Sequence, residues 1–220
     1  MRRSALSALA LAAVLSPAVA QAEWELSVYL GYQTAPHSDV EGTISGAPFE
    51  EFVAWEGRSF ENPIYYGFRA TNWLNDTTGW GVELNHAKVY ASDEDLADLG
   101  FTDLEFSDGL NFLTVNYMRR FPDQFSGAFA AFTPYVGAGA GLAIPHVDVS
   151  DGSSTTFEYQ LTGPAVVWMA GASYPLTESF SGFVEYKGSF SSNTADLEGG
   201  GELRTDIITN ALNFGVSYSF

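Results

Sequence analysis

The chain has 220 residues, 27 acidic against 9 basic, a net charge of −18 and no cysteine. At roughly 100–200 residues per domain, this is one domain plus a targeting segment. Such acidity argues against a phosphate-binding face for nucleic acid. The missing cysteine excludes disulfides, thiolate nucleophiles, Cys-ligated zinc and iron–sulfur clusters.

Arg2 and Arg3 form a short basic start, and Ala5 to Leu15 is an apolar run that Pro17 breaks. Ala18-Val19-Ala20 or Ala20-Gln21-Ala22 offers the small-x-small pattern of a cleavage site. The run is shorter than the ~20 apolar residues of a spanning helix. Residues 1–22 are expected to be a signal peptide, leaving 23–220 as the exported domain.

From there the pattern has period two. Trp24, Leu26, Val28, Leu30 and Tyr32 alternate with Glu25, Ser27, Tyr29, Gly31 and Gln33. Trp80, Val82 and Leu84 repeat it, as do Phe180, Val184 and Tyr186. The last strand runs from Ile208 to Phe220, and its aromatic end resembles the final strands of outer-membrane barrels. One apolar face against one small or polar face marks a half-buried strand. The segments run to about 10–15 residues, the length of a tilted strand crossing a bilayer rather than the usual ~5–6. Trp24, Tyr32, Trp73, Trp80, Tyr90, Phe121, Tyr174 and Phe220 lie near strand ends, where interface girdles sit.

Connections alternate long (near His37–Phe60, Ala91–Asp108, Val147–Glu158, Asn193–Thr205) and short (Asn75–Thr78, Pro122–Ala130, Pro175–Ser179). Four long and three short connections join eight strands. The expected fold is all-β, an eight-stranded antiparallel transmembrane β-barrel over residues 23–220. Its place is the outer membrane of a Gram-negative bacterium, and it is expected to act as a monomer. A soluble barrel or sandwich would carry the same alternation with its faces reversed. The column of Gly137, Gly139 and Gly141 suits the small lumen face of a membrane barrel better.

G-x-S-x-G, H-E-x-x-H and Walker motifs are absent. Arg69, Glu83, Glu185 and Lys187 share the inward parity. They form either an ion-pair network filling the lumen or, with Glu185, a general base. His37, His86 and His146 end or approach the ends of the first, third and fifth strands, which run outward. All three therefore fall near the outer mouth, with His37 on the inward face and His86 and His146 on the outward face by simple alternation. If they converge they hold a metal or supply an acid–base pair; otherwise they are three separate interface residues. Lys88 shares the face of His86, placed either to contact a lipid phosphate or to snorkel. The acidic stretch from Asp93 to Asp108 either bridges divalent cations to anionic lipid or forms a solvated surface. Loop one carries Phe49, Phe52, Val53, Trp55 and Phe60, as a lid over the mouth or a segment dipping into the headgroups.

Five stretches carry a narrower resemblance: Thr34-Ala35-Pro36-His37-Ser38, Asn85-His86-Ala87-Lys88-Val89-Tyr90, Asp108-Gly109-Leu110-Asn111, Ile144-Pro145-His146-Val147-Asp148 and Asp206-Ile207-Ile208-Thr209-Asn210-Ala211-Leu212-Asn213. They resemble the lipid A oxidases of alphaproteobacteria. The resemblance implies an enzyme that oxidises the proximal glucosamine of lipid A to 2-aminogluconate with molecular oxygen, with lipid A or lipopolysaccharide as partner. No nucleotide-binding motif is present, so a divalent or redox metal on His37, His86 and His146 is the cofactor route visible in the residues. The competing class is a non-enzymatic structural or surface-interaction barrel. A hydrolase or acyltransferase would need a serine beside a histidine, and adjacent Ser38 and His37 point to opposite faces of a strand.

Overall fold

A computed structural model describes residues 23–198 and 200–220; the signal peptide expected over residues 1–22 lies outside the described residues. The elements in chain order are β1 (Glu23–Thr34), β2 (Ser38–Ile44), β3 (Ala47–Val53), β4 (Trp55–Glu56), β5 (Tyr66–Trp73), β6 (Thr78–Ala91), α1 (Asp93–Leu99), β7 (Asp103–Arg120), β8 (Thr133–Ser150), β9 (Thr155–Tyr159), β10 (Gly163–Pro175), β11 (Phe180–Leu197) and β12 (Gly201–Ser219). Eight of them form the antiparallel ring β1-β5-β6-β7-β8-β10-β11-β12, and β12 pairs back onto β1 from Ser219↔Glu25 to Asn210↔Thr34. This is the eight-stranded barrel expected from the alternation. Closure pairs every ring strand on both sides, the condition for strands to stand in lipid.

The faces are those of a membrane barrel. On β1, Leu26, Val28, Leu30 and Tyr32 are exposed while Ser27, Tyr29 and Gln33 are buried. Val136 and Leu142 on β8, and Leu212, Phe214 and Val216 on β12, continue the apolar exterior. Inside, Arg69 lies 2.8 Å from Glu185 and 3.8 Å from Glu83, and Lys187 pairs with Glu83. Tyr135 donates to Glu185 at 2.9 Å and Asn116 to Glu83 at 2.6 Å. The expected ion-pair network is therefore formed, and neighbouring donors satisfy the carboxylate oxygens, as buried charge requires. The glycine column makes room for it. A Cβ at Gly139 would stand 1.9 Å from Asn116 Oδ1, and one at Gly141 1.9 Å from the Leu113 carbonyl oxygen.

Higher up, the contents of the two faces exchange. On β11 the inward residues pass from Glu185, Lys187, Ser189, Ser191 and Asn193 to Ala195 and Leu197, while the outward ones pass from Val184 and Tyr186 to Thr194 and Asp196. On β12 the exterior changes from Leu212 and Ile208 to Asp206 and Arg204, and the interior gains Ile207 and Leu203. Val89, Leu104, Phe106, Phe112, Val147 and Val149 join them in an apolar core that caps the polar lumen. This overturns the long loops expected at Ala91–Asp108, Val147–Glu158 and Asn193–Thr205. Most of those residues are strand, with α1 in the first connection and a short turn after Leu197 in the last. The alternation continues there, but in water the apolar face points inward.

Loop one also forms wall. β2 pairs with β12 at Val40↔Thr205, β3 pairs with β2, and β4 reaches β6 at Trp55↔Ala91. Val53 and Trp55 are buried, and Phe49 packs edge-on against Phe101 at 5.1 Å. Phe52 and Phe60 stay exposed. Two girdle assignments are corrected. Trp73 points inward at the turn end of the barrel beneath the Arg120 guanidinium, 4.2 Å from its ring. Tyr90 is covered by loop one, with Arg58 4.5 Å from its ring.

Candidate functional site

Neighbouring strands in register bring the sequence-predicted His86 of β6 and His146 of β8 onto one outer wall with residues of β5 and β7. Tyr66 of β5 pairs with His86, His86 with Asn111, and Asn111 with Ile144. All lie just above the lipid-exposed apolar run that ends at Leu84 on β6 and Leu142 on β8. The His86 ring stacks on Tyr66 at 4.8 Å, and its Nδ1 stands 2.9 Å from Asn111 Oδ1. The Asn111 amide nitrogen is turned toward the carbonyls of Gly109 and Ile144, at 3.4 and 3.3 Å, so its oxygen faces the imidazole. Nδ1 therefore carries the proton in the neutral ring, leaving Nε2 with a free lone pair. That atom is buried and has no partner among the described residues.

A bulge shapes the next level. Between Phe106 and Leu110, β7 has three residues where β6 has only Lys88, and between Glu105 and Leu110 it has four where β8 has two. Two extra residues restore the parity of the strand while pushing Ser107–Gly109 out of the ladder. Gly109 has φ 117°, and a Cβ there would meet Asn111 and His86 Nδ1 at 2.5 Å. The bulge carries Asp108 toward His146, whose Nδ1 lies 3.9 Å from the carboxylate. Phe157 and Tyr159 of β9 flank the His146 ring at 4.4 and 4.8 Å, and the Tyr159 hydroxyl donates to the Asp108 carbonyl at 3.1 Å. One level further out, Tyr90, Glu105, Asp148 and Phe157 form a second row in register. Burial first, then Glu105, Asp103 and Asp108, pushes the Asp148 carboxyl up to about 6, against a smaller opposing effect of His146.

Lys88 keeps the outward parity of His86 but does not face lipid. Loop one buries it, and its ammonium donates to the Glu61 carbonyl at 2.8 Å and the Tyr90 hydroxyl at 3.3 Å. Burial pulls its pKa below the usual lysine range. The same segment seals a seam. β5 begins at Tyr66, so above Leu30 no strand lies between β1 and β6. The Gln33 side chain fills that place, and Ser59 holds Gln33 in turn by its main-chain N–H at 2.8 Å and carbonyl at 3.2 Å. Outside the seam is a cavity of about 430 Å³ lined by Tyr32, Gln33, Trp55, Arg58, Ser59 and Phe60.

The other candidates stand apart. His37, expected inward, lies beyond the end of β1 where alternation no longer applies; it is exposed and stacks on Phe52 at 5.4 Å. Glu185 is in the lumen network, beneath the apolar cap. Among the described residues no three His, Asp or Glu side chains come together to hold a metal, so the three histidines do not form a shared ligand set. Asn111 and Asp108 were not selected as site residues from sequence. Their signal was the Asp-Gly pair inside a strand pattern, which marks a bulge.

The comparisons with known proteins agree with the barrel fold. A family model described as an outer membrane protein beta-barrel domain matches residues 6–220. The chain belongs to that family. It therefore resides in the outer membrane of a Gram-negative cell. Two solved barrels of low identity share the fold. Neisserial surface protein A is 16% identical with a TM-score of 0.51, over 90% of this chain and 97% of that one. Outer membrane protein OprG of Pseudomonas aeruginosa is 16% identical with a TM-score of 0.53, over 91% of this chain and 97% of that one. No curated protein matches the sequence.

Proposed function

We propose that this outer-membrane barrel is an oxidase acting on lipid A, taking the proximal glucosamine to 2-aminogluconate with molecular oxygen. The observation that carries the reading is the meeting of His86, Asn111, Asp108 and His146 at the upper edge of the lipid-exposed band. Three of the five stretches that resemble lipid A oxidases supply those four residues. They lie on three consecutive strands and face outward, toward the leaflet that holds the substrate.

The chemistry needs a free anomeric hydroxyl. Two electrons and two protons leave C1 and its hydroxyl for O2, giving a lactone and hydrogen peroxide, and water then opens the lactone to the aminogluconate. His86 is the base in this reading. Asn111 fixes its tautomer so that the Nε2 lone pair is free, and that buried atom takes the hydroxyl proton once the bound sugar displaces the side chains that cover it. His146 and Asp108 sit beside the sugar and position it. Arg58, only partly buried against the Tyr90 ring, supplies positive charge near the seam for a lipid phosphate.

Mass spectrometry of lipid A from cells with and without the protein, grown with and without air, tests this. The expected result is one added oxygen atom on the proximal sugar, dependent on both protein and O2 and lost in His86→Gln. An unchanged spectrum with the barrel folded in the outer membrane overturns the oxidase reading and leaves a non-enzymatic surface barrel. Loss of one acyl chain instead would mark a hydrolase.

A further inference from the structure

The wall of β10, β11 and β12 carries a polar feature that the oxidase reading does not use. It lies across the ring from the histidines, since β11 is four strands from β6 in either direction. Asn210 of β12 stands on the outward face between Ile208 and Leu212, both exposed to lipid. Asp206, where the exterior turns to water, is two outward positions above it. Gly188 of β11 is in register with Asn210, and Trp168 of β10 is in register with Gly188. Gly188 makes room for the indole: a Cβ there would collide with the Trp168 ring, Nε1 included. The indole therefore lies across the outer surface of Gly188, and Asn210 borders the same glycine from the other side.

Both side chains bring hydrogen-bond donors to this wall. The Tyr186 hydroxyl, on the outward face of β11, donates to Asn210 Oδ1 at 2.6 Å. That bond orients the amide and leaves its nitrogen to donate elsewhere. Neither Asn210 Nδ2 nor Trp168 Nε1 has a hydrogen-bond partner among the described residues. An unpaired N–H is costly against hydrocarbon, where water cannot satisfy it. Below its phosphates, bilayer lipid offers one kind of acceptor, the carbonyls that join its acyl chains.

We infer that Trp168 and Asn210, on either side of Gly188, bind an acyl carbonyl, ester or amide, of an outer-leaflet lipid. Two neutral donors suit a neutral carbonyl. A phosphate would call for a guanidinium or ammonium, and the nearest basic side chain on this face of β12 is Arg204, three outward positions further out and paired with Glu202. Val184 and Leu212, deeper in the same wall and lipid-exposed, give the attached chain an apolar surface. The inference stands whether or not the barrel is an oxidase.

The test uses the folded barrel in carbonyl-free detergent micelles with equal amounts of a diester phosphatidylcholine and its diether analogue, which keeps the headgroup and chains but lacks the carbonyls. Native mass spectrometry reads the retained lipid. Wild type is expected to favour the diester lipid by about tenfold, the scale of one or two neutral hydrogen bonds. Asn210→Leu and Trp168→Phe each cut that preference severalfold, and the double variant loses it. Gly188→Ala, which displaces the indole while keeping both donors, weakens it too. Val166→Leu leaves it unchanged, and gel mobility shows every variant folded. In NMR spectra the Trp168 indole proton, assigned by its loss in Trp168→Phe, moves downfield with the diester lipid and not with the diether. Lipid A, whose chains are ester- and amide-linked, displaces the diester lipid. Equal retention of the two lipids by wild type, or an unchanged preference in the folded double variant, overturns the site. Failure of lipid A to compete overturns the outer-leaflet assignment.

Discussion

Gln33 holds Lys88 by both of its main-chain polar groups: its amide nitrogen donates to the Lys88 carbonyl at 2.6 Å, and its oxygen accepts from the Lys88 N–H at 3.0 Å. A side-chain amide thus stands where a strand's peptide group would, closing the β1–β6 seam above Leu30. Gln33→Ala leaves both buried groups unpaired, at a cost of about 1–3 kcal/mol for each left unsatisfied. The expected outcome is faster proteolysis within residues 56–61 and a lower unfolding midpoint, with the rest of the barrel still protected. Equal protease resistance in wild type and variant would show that loop one alone seals the seam.

Arg69 lies between two carboxylates in the lumen. Arg69→Met leaves Glu83 and Glu185 to share the single charge of Lys187, and breaking such a buried pair costs about 3–5 kcal/mol. Arg69→Met/Glu185→Gln removes the stranded charge and is expected to recover part of the loss. Urea unfolding of the barrel refolded in lipid vesicles measures both. Equal stability of the single and double variants would contradict the coupling.

Gly109 occupies a backbone conformation at φ 117° that side-chain-bearing residues rarely adopt. Gly109→Ala is expected to lose about 1–3 kcal/mol from strain alone. It should also displace the His86 ring from Asn111, since the added carbon would fall 2.5 Å from Nδ1. Imidazole NMR in micelles reads the second effect as loss of the Nδ1–H tautomer preference at His86.

Asp148 gives the outer wall a pH dependence. Its carboxyl rises from an ordinary value of 3.8 to about 6 in the folded protein. The folded state therefore keeps the proton to higher pH than the unfolded state does. This contribution to stability is fully present below the unfolded value and falls as pH rises through the folded one. Between pH 4 and 6 the stability of wild type should fall relative to Asp148→Asn, and above pH 6 the difference should be flat. Parallel midpoints across that window would rule out the raised carboxyl.

The barrel was legible where lipid surrounds it. Leu26, Val28 and Leu30 against Ser27 and Tyr29 state both strand and face. The inward charges Arg69, Glu83, Glu185 and Lys187 were found by parity alone. The outer strand ends were not legible, because Asp206, Arg204 and Asp196 on an exterior face look like loop residues unless the exchange of solvent is known. Parity placed His86 and His146 outward, as observed. It could not show that loop one covers Lys88, or that a two-residue bulge swings Asp108 beside His146, because both depend on contacts between distant segments.

The exchange of face contents on β11 and β12 has one further consequence. Sinking the barrel into the bilayer would drag Asp196, Arg204 and Asp206 into hydrocarbon, and raising it would strand Ile208 and Leu84 in water. The chain therefore encodes its own depth. Wherever the leaflet is thinner or thicker than the apolar belt, the lipid must adjust to the protein, and the candidate site stays moored at one altitude.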